Sequence, residues 1–517
     1  MSTFTAPTVG DLERLSAVYG YDCTQEDLQL YGTLLKSSTE SFRMVWDLAD
    51  PAPLVKYPRT PGYRPVPSEN LYNAWYWRCS IKGAASGKLA GMRVGVKDNV
   101  CVAGVPMMNG SRTVEGYTPT VDAPIVRRLL DEGAEVIGKT TCEDLCLSGG
   151  SYLTTYGPVR NPWAPTHSAG GSSSGSGAAV AAGEADMAIG GDQGGSIRIP
   201  ASCCGIVGHK PTYGLVPYTD IIPIETTLDH IGPMARTVKD CAKMLEVMAG
   251  YDNGSDSRQP SNGIPQEALN IVAKLDEPCT HLRVGVLKEG FEVCDAAVNA
   301  VVKEAVAALR ASNAFKCVEE VSVPMHHKGS DIWLPIATLG VTHQMVDGAG
   351  YGTGLYGALN ASLCERLHQG YKAQAATVSH TNKFITMMGA YVRQKYGPAV
   401  YSKAQNLALQ LRRQYDSALQ SYDLLLLPTL PNPPCKLPEK DTPAIQAIGN
   451  ALAPVKNCCP FNMTHHPAVT LNAGFTKTDG GLPIGVMLVG RHFQDALVLQ
   501  AASAVEKVVA KFQTRKL

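Results

Sequence analysis

Met92-Arg93-Val94-Gly95-Val96-Lys97-Asp98-Asn99 is a short apolar run that ends in a lysine. The run has the length and composition of a buried strand. Open α/β sheets build their sites at strand ends, so the Lys97 ammonium is expected at one; a strand-end salt bridge is the plainer fate of such a residue. Outward from this segment, similar runs recur at 134–137, 185–189, 282–287, 424–427, 469–472 and 484–489. Helical patterns intervene at 123–131, 238–248, 296–309 and 495–509. This alternation predicts an α/β fold: a three-layer α/β/α domain around a mixed central sheet, built mostly from crossover connections.

Before that domain, Leu12, Leu15, Tyr19, Leu28, Leu30, Leu34, Leu35, Phe42 and Val45 recur at three- and four-residue steps, the spacing of amphipathic helices. Prolines at 51, 53, 58, 61, 65 and 67 then forbid a continuous helix. Residues 1–71 are therefore expected to form an N-terminal helical region with a Pro-rich linker, and 72–517 the main domain. A helix-like stretch around 322–397, containing Trp333, is expected as an insertion capping the site. Trp333 is a pocket candidate there, with core packing as the alternative for a lone tryptophan.

The 46 basic and 46 acidic residues cancel. Such a balance gives no electrostatic footing for nucleic acid or an anionic membrane surface, and suits a small neutral substrate. The first fifteen residues carry Asp11 and Glu13 and hold no apolar run long enough for a signal peptide or a membrane span. Fifteen cysteines without regular spacing are expected as reduced thiols in a cytoplasmic protein. Gly133-Ala134-Glu135-Val136-Ile137-Gly138-Lys139-Thr140 fits the phosphate-cradling pattern letter for letter. A phosphate loop follows a strand, however, and here a helical pattern precedes while Val136-Ile137 look like strand residues.

Two more segments carry chemistry: Gly170-Gly171-Ser172-Ser173-Ser174-Gly175 and Gly191-Asp192-Gln193-Gly194-Gly195-Ser196-Ile197-Arg198-Ile199-Pro200. Ser172 precedes a run of small residues and could merely cap a helix. Paired glycines before Ser196 let the backbone approach a ligand and aim successive N–H groups at one point, as an oxyanion requires. Together with Lys97, these segments resemble the amidase signature family. The resemblance continues through Gly208-His209-Lys210-Pro211-Thr212, the stretch from Leu228 to Thr237, and Gly481-Leu482-Pro483-Ile484-Gly485-Val486. The helical preface is similar to that of the amidases linked to nitrile metabolism. Ser174 departs from the family pattern, which has glycine there.

The resemblance implies Ser196 as nucleophile, Ser172 behind a cis peptide as proton relay, and Lys97 as base. It also implies oxyanion donors from the backbone of Gln193, Gly194, Gly195 and Ser196. Asp192, with Ser173, would order the loops from behind. A lysine accepts a proton only when uncharged, and burial beside hydroxyls rather than carboxylates favours that form, so Lys97 is expected buried and facing Ser172. No cofactor and no metal is required. Arg198 could hold a substrate carboxylate, but a structural ion pair is the preferred reading. His230 beside Asp229 suggests a Ser-His-Asp triad, yet no nucleophile elbow accompanies it.

The implied activity is hydrolysis of small carboxylic amides to acid and ammonia or amine. Carbamate (urethane) or ester hydrolysis by the same residues is one alternative, and the glutaminase subunit of a tRNA-dependent amidotransferase is another. A homodimer is expected, with the helical preface as a candidate interface, although its apolar face could equally pack on its own domain.

Overall fold

The structure is a computed structural model describing residues 5–51, 53–350, 357–439, 441–477 and 480–513. The chain divides into two units, Met1–Leu54 and Val55–Leu517. The small unit is a pair of helices, Val9–Tyr19 and Gln25–Asp47, each opened by a threonine whose hydroxyl accepts an N–H three residues on. The stretch 55–71 goes with the large unit rather than with the preface. Its Arg59 forms a nearly buried ion pair with Asp122 at 2.7 Å, and Tyr63 exchanges backbone hydrogen bonds with Arg78.

The strands of the large unit are β1 (Trp75–Lys82), β2 (Arg93–Lys97), β3 (Glu135–Thr140), β4 (Arg160–Asn161), β5 (Ala164–Ser168), β6 (Met187–Asp192), β7 (Val207–Lys210), β8 (His230–Ala235), β9 (Arg283–Leu287), β10 (Cys317–Val321), β11 (Leu424–Pro428), β12 (Ala468–Phe475) and β13 (Pro483–Val489). Apart from the β4–β5 pair they make one eleven-stranded sheet, ordered β1-β3-β2-β6-β8-β7-β12-β13-β11-β9-β10. Parallel pairing is confined to β3-β2-β6 and β11-β9-β10. The middle, from β6 to β11, is antiparallel, so crossover connections dominate less than the alternation implies.

Successive strand side chains enter different cores, which is why the strands read as continuous apolar runs. Leu424 and Leu426 join Val469, Leu471, Ile484, Val486 and Leu488 in one core, whereas Leu425, Leu427, Met487 and Val489 point into another. Helices Pro124–Asp131, Val238–Met248, Ala296–Ser312 and Asp495–Val509 cover the first face. Ser174–Ala181, Arg198–Cys204 and Ala399–Ser421 cover the second, completing the three layers. The helical insertion comprises Gly329–Gly340, a π-helical turn Val341–Asp347, Ala361–Gln374 and His380–Tyr396. Helix then resumes almost at once at Ala399 and runs to Ser421, further than the sequence suggests. Within the insertion, residues 351–356 lie outside the described residues.

Candidate active site

On β2, Val94 and Val96 enter the larger core, so the two-residue alternation sends Lys97 to the opposite face. Lys97 is fully buried; its Nζ lies 2.9 Å from Ser172 Oγ and 3.3 Å from the Gly191 carbonyl oxygen. Among the described residues no carboxylate forms an ion pair with it. The other buried lysine nearby, Lys139 on β3, is paired instead: its Nζ lies 3.1 Å from Asp98 and donates to the Val100 carbonyl at 2.7 Å. Lys139 thus belongs to a strand, and the phosphate-loop pattern around it is a coincidence of letters.

Ser172 caps no helix. The N-cap of Ser174–Ala181 is Ser173, whose side chain makes no capping bond, while the Ser172 hydroxyl faces Lys97. The Gly171–Ser172 peptide is cis. Ser173 bridges the loops: its Oγ lies 3.2 Å from both the nitrogen and the oxygen of Gly191, and its N–H donates to the Ser196 carbonyl. Ser174 fits, buried at the helix start. Gly175 admits no side chain, since a Cβ would sit 2.2 Å from the Ala74 carbonyl oxygen.

The turn from Asp192 to Arg198 is built around one carboxylate. Asp192 accepts the N–H groups of Gly195 at 2.7 Å and Ile197 at 3.1 Å, a forked pair from Arg198 at 2.9 and 3.0 Å, and Asn462 Nδ2 at 2.8 Å. Burial alone would raise its pKa, but the Arg198 guanidinium outweighs that and holds the carboxyl well below the usual range. The Gly195 N–H is therefore turned to Asp192. Of the four amides expected to face an oxyanion, those of Gln193, Gly194 and Ser196 are left. Arg198, fully buried and also bonded to the Cys458 carbonyl and Asn462, is the structural ion pair and is spent on the protein itself. His230 belongs to β8; its Nδ1 donates to the Leu228 carbonyl, and it makes no triad.

A family model described as Amidase matches residues 63–499. The chain belongs to the amidase signature family. An enantioselective amidase from Rhodococcus rhodochrous is 43% identical over 99% of this chain and 98% of that one. A glutamyl-tRNA(Gln) amidotransferase subunit from Picosynechococcus is 36% identical over 83% of this chain and 87% of its own. Among solved structures, the native peptide amidase from Stenotrophomonas maltophilia superposes with a TM-score of 0.66 at 27% identity, over 83% of this chain and 84% of that one. This amidase is accordingly an amide-hydrolysing enzyme.

Ser196 opens onto a cavity of this amidase whose walls are mostly apolar. Trp333 forms one side, donating its indole N–H to the Gln193 carbonyl at 2.9 Å. It packs so closely that a Cβ on Gly194 would come within 2.8 Å of the ring, and it packs against the second core as well as lining the cavity. The Gln193 side chain also faces the cavity, its Nε2 donating to Tyr218 Oη at 2.9 Å. Most of the remaining walls carry no motif that marks them in the sequence, among them Leu147, Ile224, Val341, Ile385 and Leu452. They come from separate places along the chain and share no spacing.

Proposed function

We propose that the protein hydrolyses small carboxylic amides with an apolar acyl group, to acid and ammonia or amine, using Ser196 as nucleophile, Ser172 as relay and Lys97 as base. The observation that carries this reading is the 2.9 Å contact between Ser172 Oγ and a fully buried lysine whose neighbours are a hydroxyl, a carbonyl and the Cys146 thiol rather than a carboxylate. Ser196 Oγ attacks the acyl carbon as its proton moves to Ser172 and the Ser172 proton moves to Lys97. The tetrahedral oxyanion is met by the N–H groups of Gln193, Gly194 and Ser196, each worth a few kcal/mol. Lys97 returns the proton through Ser172 to the nitrogen as the C–N bond breaks, leaving an ester on Ser196. Water then repeats the sequence and releases the acid.

The walls disfavour an anionic acyl group, because among the described residues no arginine or lysine lines the cavity and Arg198 is committed to Asp192, while the carboxyl that does line it, Glu225, is taken up by Thr227, Gln344 and Tyr401. A glutaminase reading would need a cation for the α-carboxylate of glutamine, so the amidotransferase role is disfavoured. Ser196→Ala and Lys97→Ala should each lower kcat/KM on an aliphatic or aromatic amide by about 10⁴-fold or more, with circular dichroism unchanged. A fluorophosphonate should label the wild type at Ser196. Near-normal turnover in either variant, or labelling elsewhere, would remove the mechanism. Rates on the matching amide, ethyl carbamate and ester, compared side by side, rank the leaving groups.

A further inference from the structure

We propose that Asp416, His466 and His492 form a binding site for a divalent transition-metal ion of the zinc class, which pins the helix Ala399–Ser421 to the ends of β12 and β13. None of the three lines the cavity at Ser196, and the proposal does not depend on the reaction assigned there. Sheet register brings the histidines together. Ala468 of β12 pairs with Val489 of β13, and the ladder extends one step further through Gly490 N–H to the Pro467 carbonyl at 3.1 Å. The chain entering β12 and the chain leaving β13 therefore run side by side, with the two imidazole centroids 4.2 Å apart. The helix supplies the carboxylate: Asp416 Oδ1 lies 3.1 Å from His466 Nε2 and 3.8 Å from His492 Nδ1. All three ligand atoms lie within 4.8 Å of one another. Metal–ligand bonds of zinc length place tetrahedral donor atoms about 3.4 Å apart, between the two carboxylate–imidazole separations.

Counting protons shows why a cation belongs there. Thr464 Oγ1 has one hydrogen and donates it to the Pro460 carbonyl at 3.0 Å. Toward His466 Nδ1, also 3.0 Å away, that oxygen can only accept, so Nδ1 carries the ring proton. His492 Nε2 faces the Thr464 carbonyl at 2.8 Å, and a carbonyl likewise only accepts. A neutral imidazole has one N–H, which leaves His466 Nε2 and His492 Nδ1 as bare lone pairs. Both are aimed at a carboxylate that is itself only an acceptor. Protonating both rings would fill the gap, at the cost of two adjacent cations, one of them on the fully buried His466. A single divalent ion fills it with no such repulsion.

The surroundings are those of a metal site. Each ring anchors its outer N–H on an oxygen of Thr464, the support that fixes the tautomer of a metal-ligating histidine. Arg412 reaches the other carboxylate oxygen, Oδ2, at 3.7 Å and leaves Oδ1 to the rings. Partial exposure of Asp416 gives water a way to the remaining coordination position.

The test uses the full-length protein stripped with a chelator and dialysed, then titrated with zinc(II) by calorimetry and with cobalt(II) by visible absorption. One zinc per chain, a raised melting temperature and the absorption bands of tetrahedral cobalt are expected. Asp416→Asn and His492→Asn should each abolish all three while circular dichroism shows them folded. Asp416 is half-exposed and makes the safer of the two changes. No zinc uptake by the wild type, or uptake that persists in both variants and so belongs to the thiols, would overturn the proposal.

Discussion

Glu143 illustrates what single residues add around the site. Its backbone N–H donates to the Ser172 carbonyl, and its fully buried carboxyl accepts the Leu153 N–H. Burial pushes its pKa up to about 8, from 4.5, against the opposing hydrogen bonds of Ser148 and Leu153. In the window between those values the folded protein keeps a proton that the unfolded chain has lost. This group's contribution to stability therefore falls as pH rises across the window. Glu143→Gln should gain on the wild type between about pH 5 and pH 8, by up to ~1.4 kcal/mol per unit. Melting curves of both proteins across that range check it; a constant difference would show Glu143 ionised in the fold. At this scale the sequence was most informative where chemistry restricts residue choice. Lys97, Ser172 and Ser196 stand out because they sit in glycine-rich or strand-end settings. The use of the Gly195 N–H by Asp192 was invisible, because it depends on where a carboxylate three residues away turns.

Among elements, the turn Asp192–Arg198 depends most on one interaction. Arg198→Met would leave Asp192 buried and uncompensated, a loss of about 3–5 kcal/mol, read as a lower urea midpoint. Arg198→Lys should restore little, since an ammonium cannot reproduce the fork on both carboxylate oxygens. A midpoint unchanged in Arg198→Met would mean that Asn462 and the two amides suffice. Strands with apolar runs, such as β11 and β13, were legible because both faces are covered. β8 was not: Gly232 and Pro233 argue against a strand, yet it lies inside the sheet. Its ladder with β7 covers only Met234 and Ala235, so the imide nitrogen of Pro233 is not asked to donate there. β10 carries Glu319 and Glu320 because it is a sheet edge, where water satisfies them.

For the whole molecule, the small helical unit poses the main question. Among its described large apolar side chains only Leu12 and Leu28 are buried, while Leu15, Leu30, Leu34, Phe42 and Trp46 are exposed. A homodimer built through this preface is the expectation to test. Light scattering should give twice the chain mass, and Leu34→Glu with Phe42→Glu should give monomers that still hydrolyse amides. A wild-type monomer would refute it. The larger unit separates its duties along the chain. Bond breaking is assigned to groups between Lys97 and Ser196, whereas most of the cavity wall is drawn from 224–455. Drift in the later stretch can thus retune which molecules are accepted while leaving the proton path untouched, so a lineage built on this plan can diversify its diet by single steps without passing through an inert ancestor.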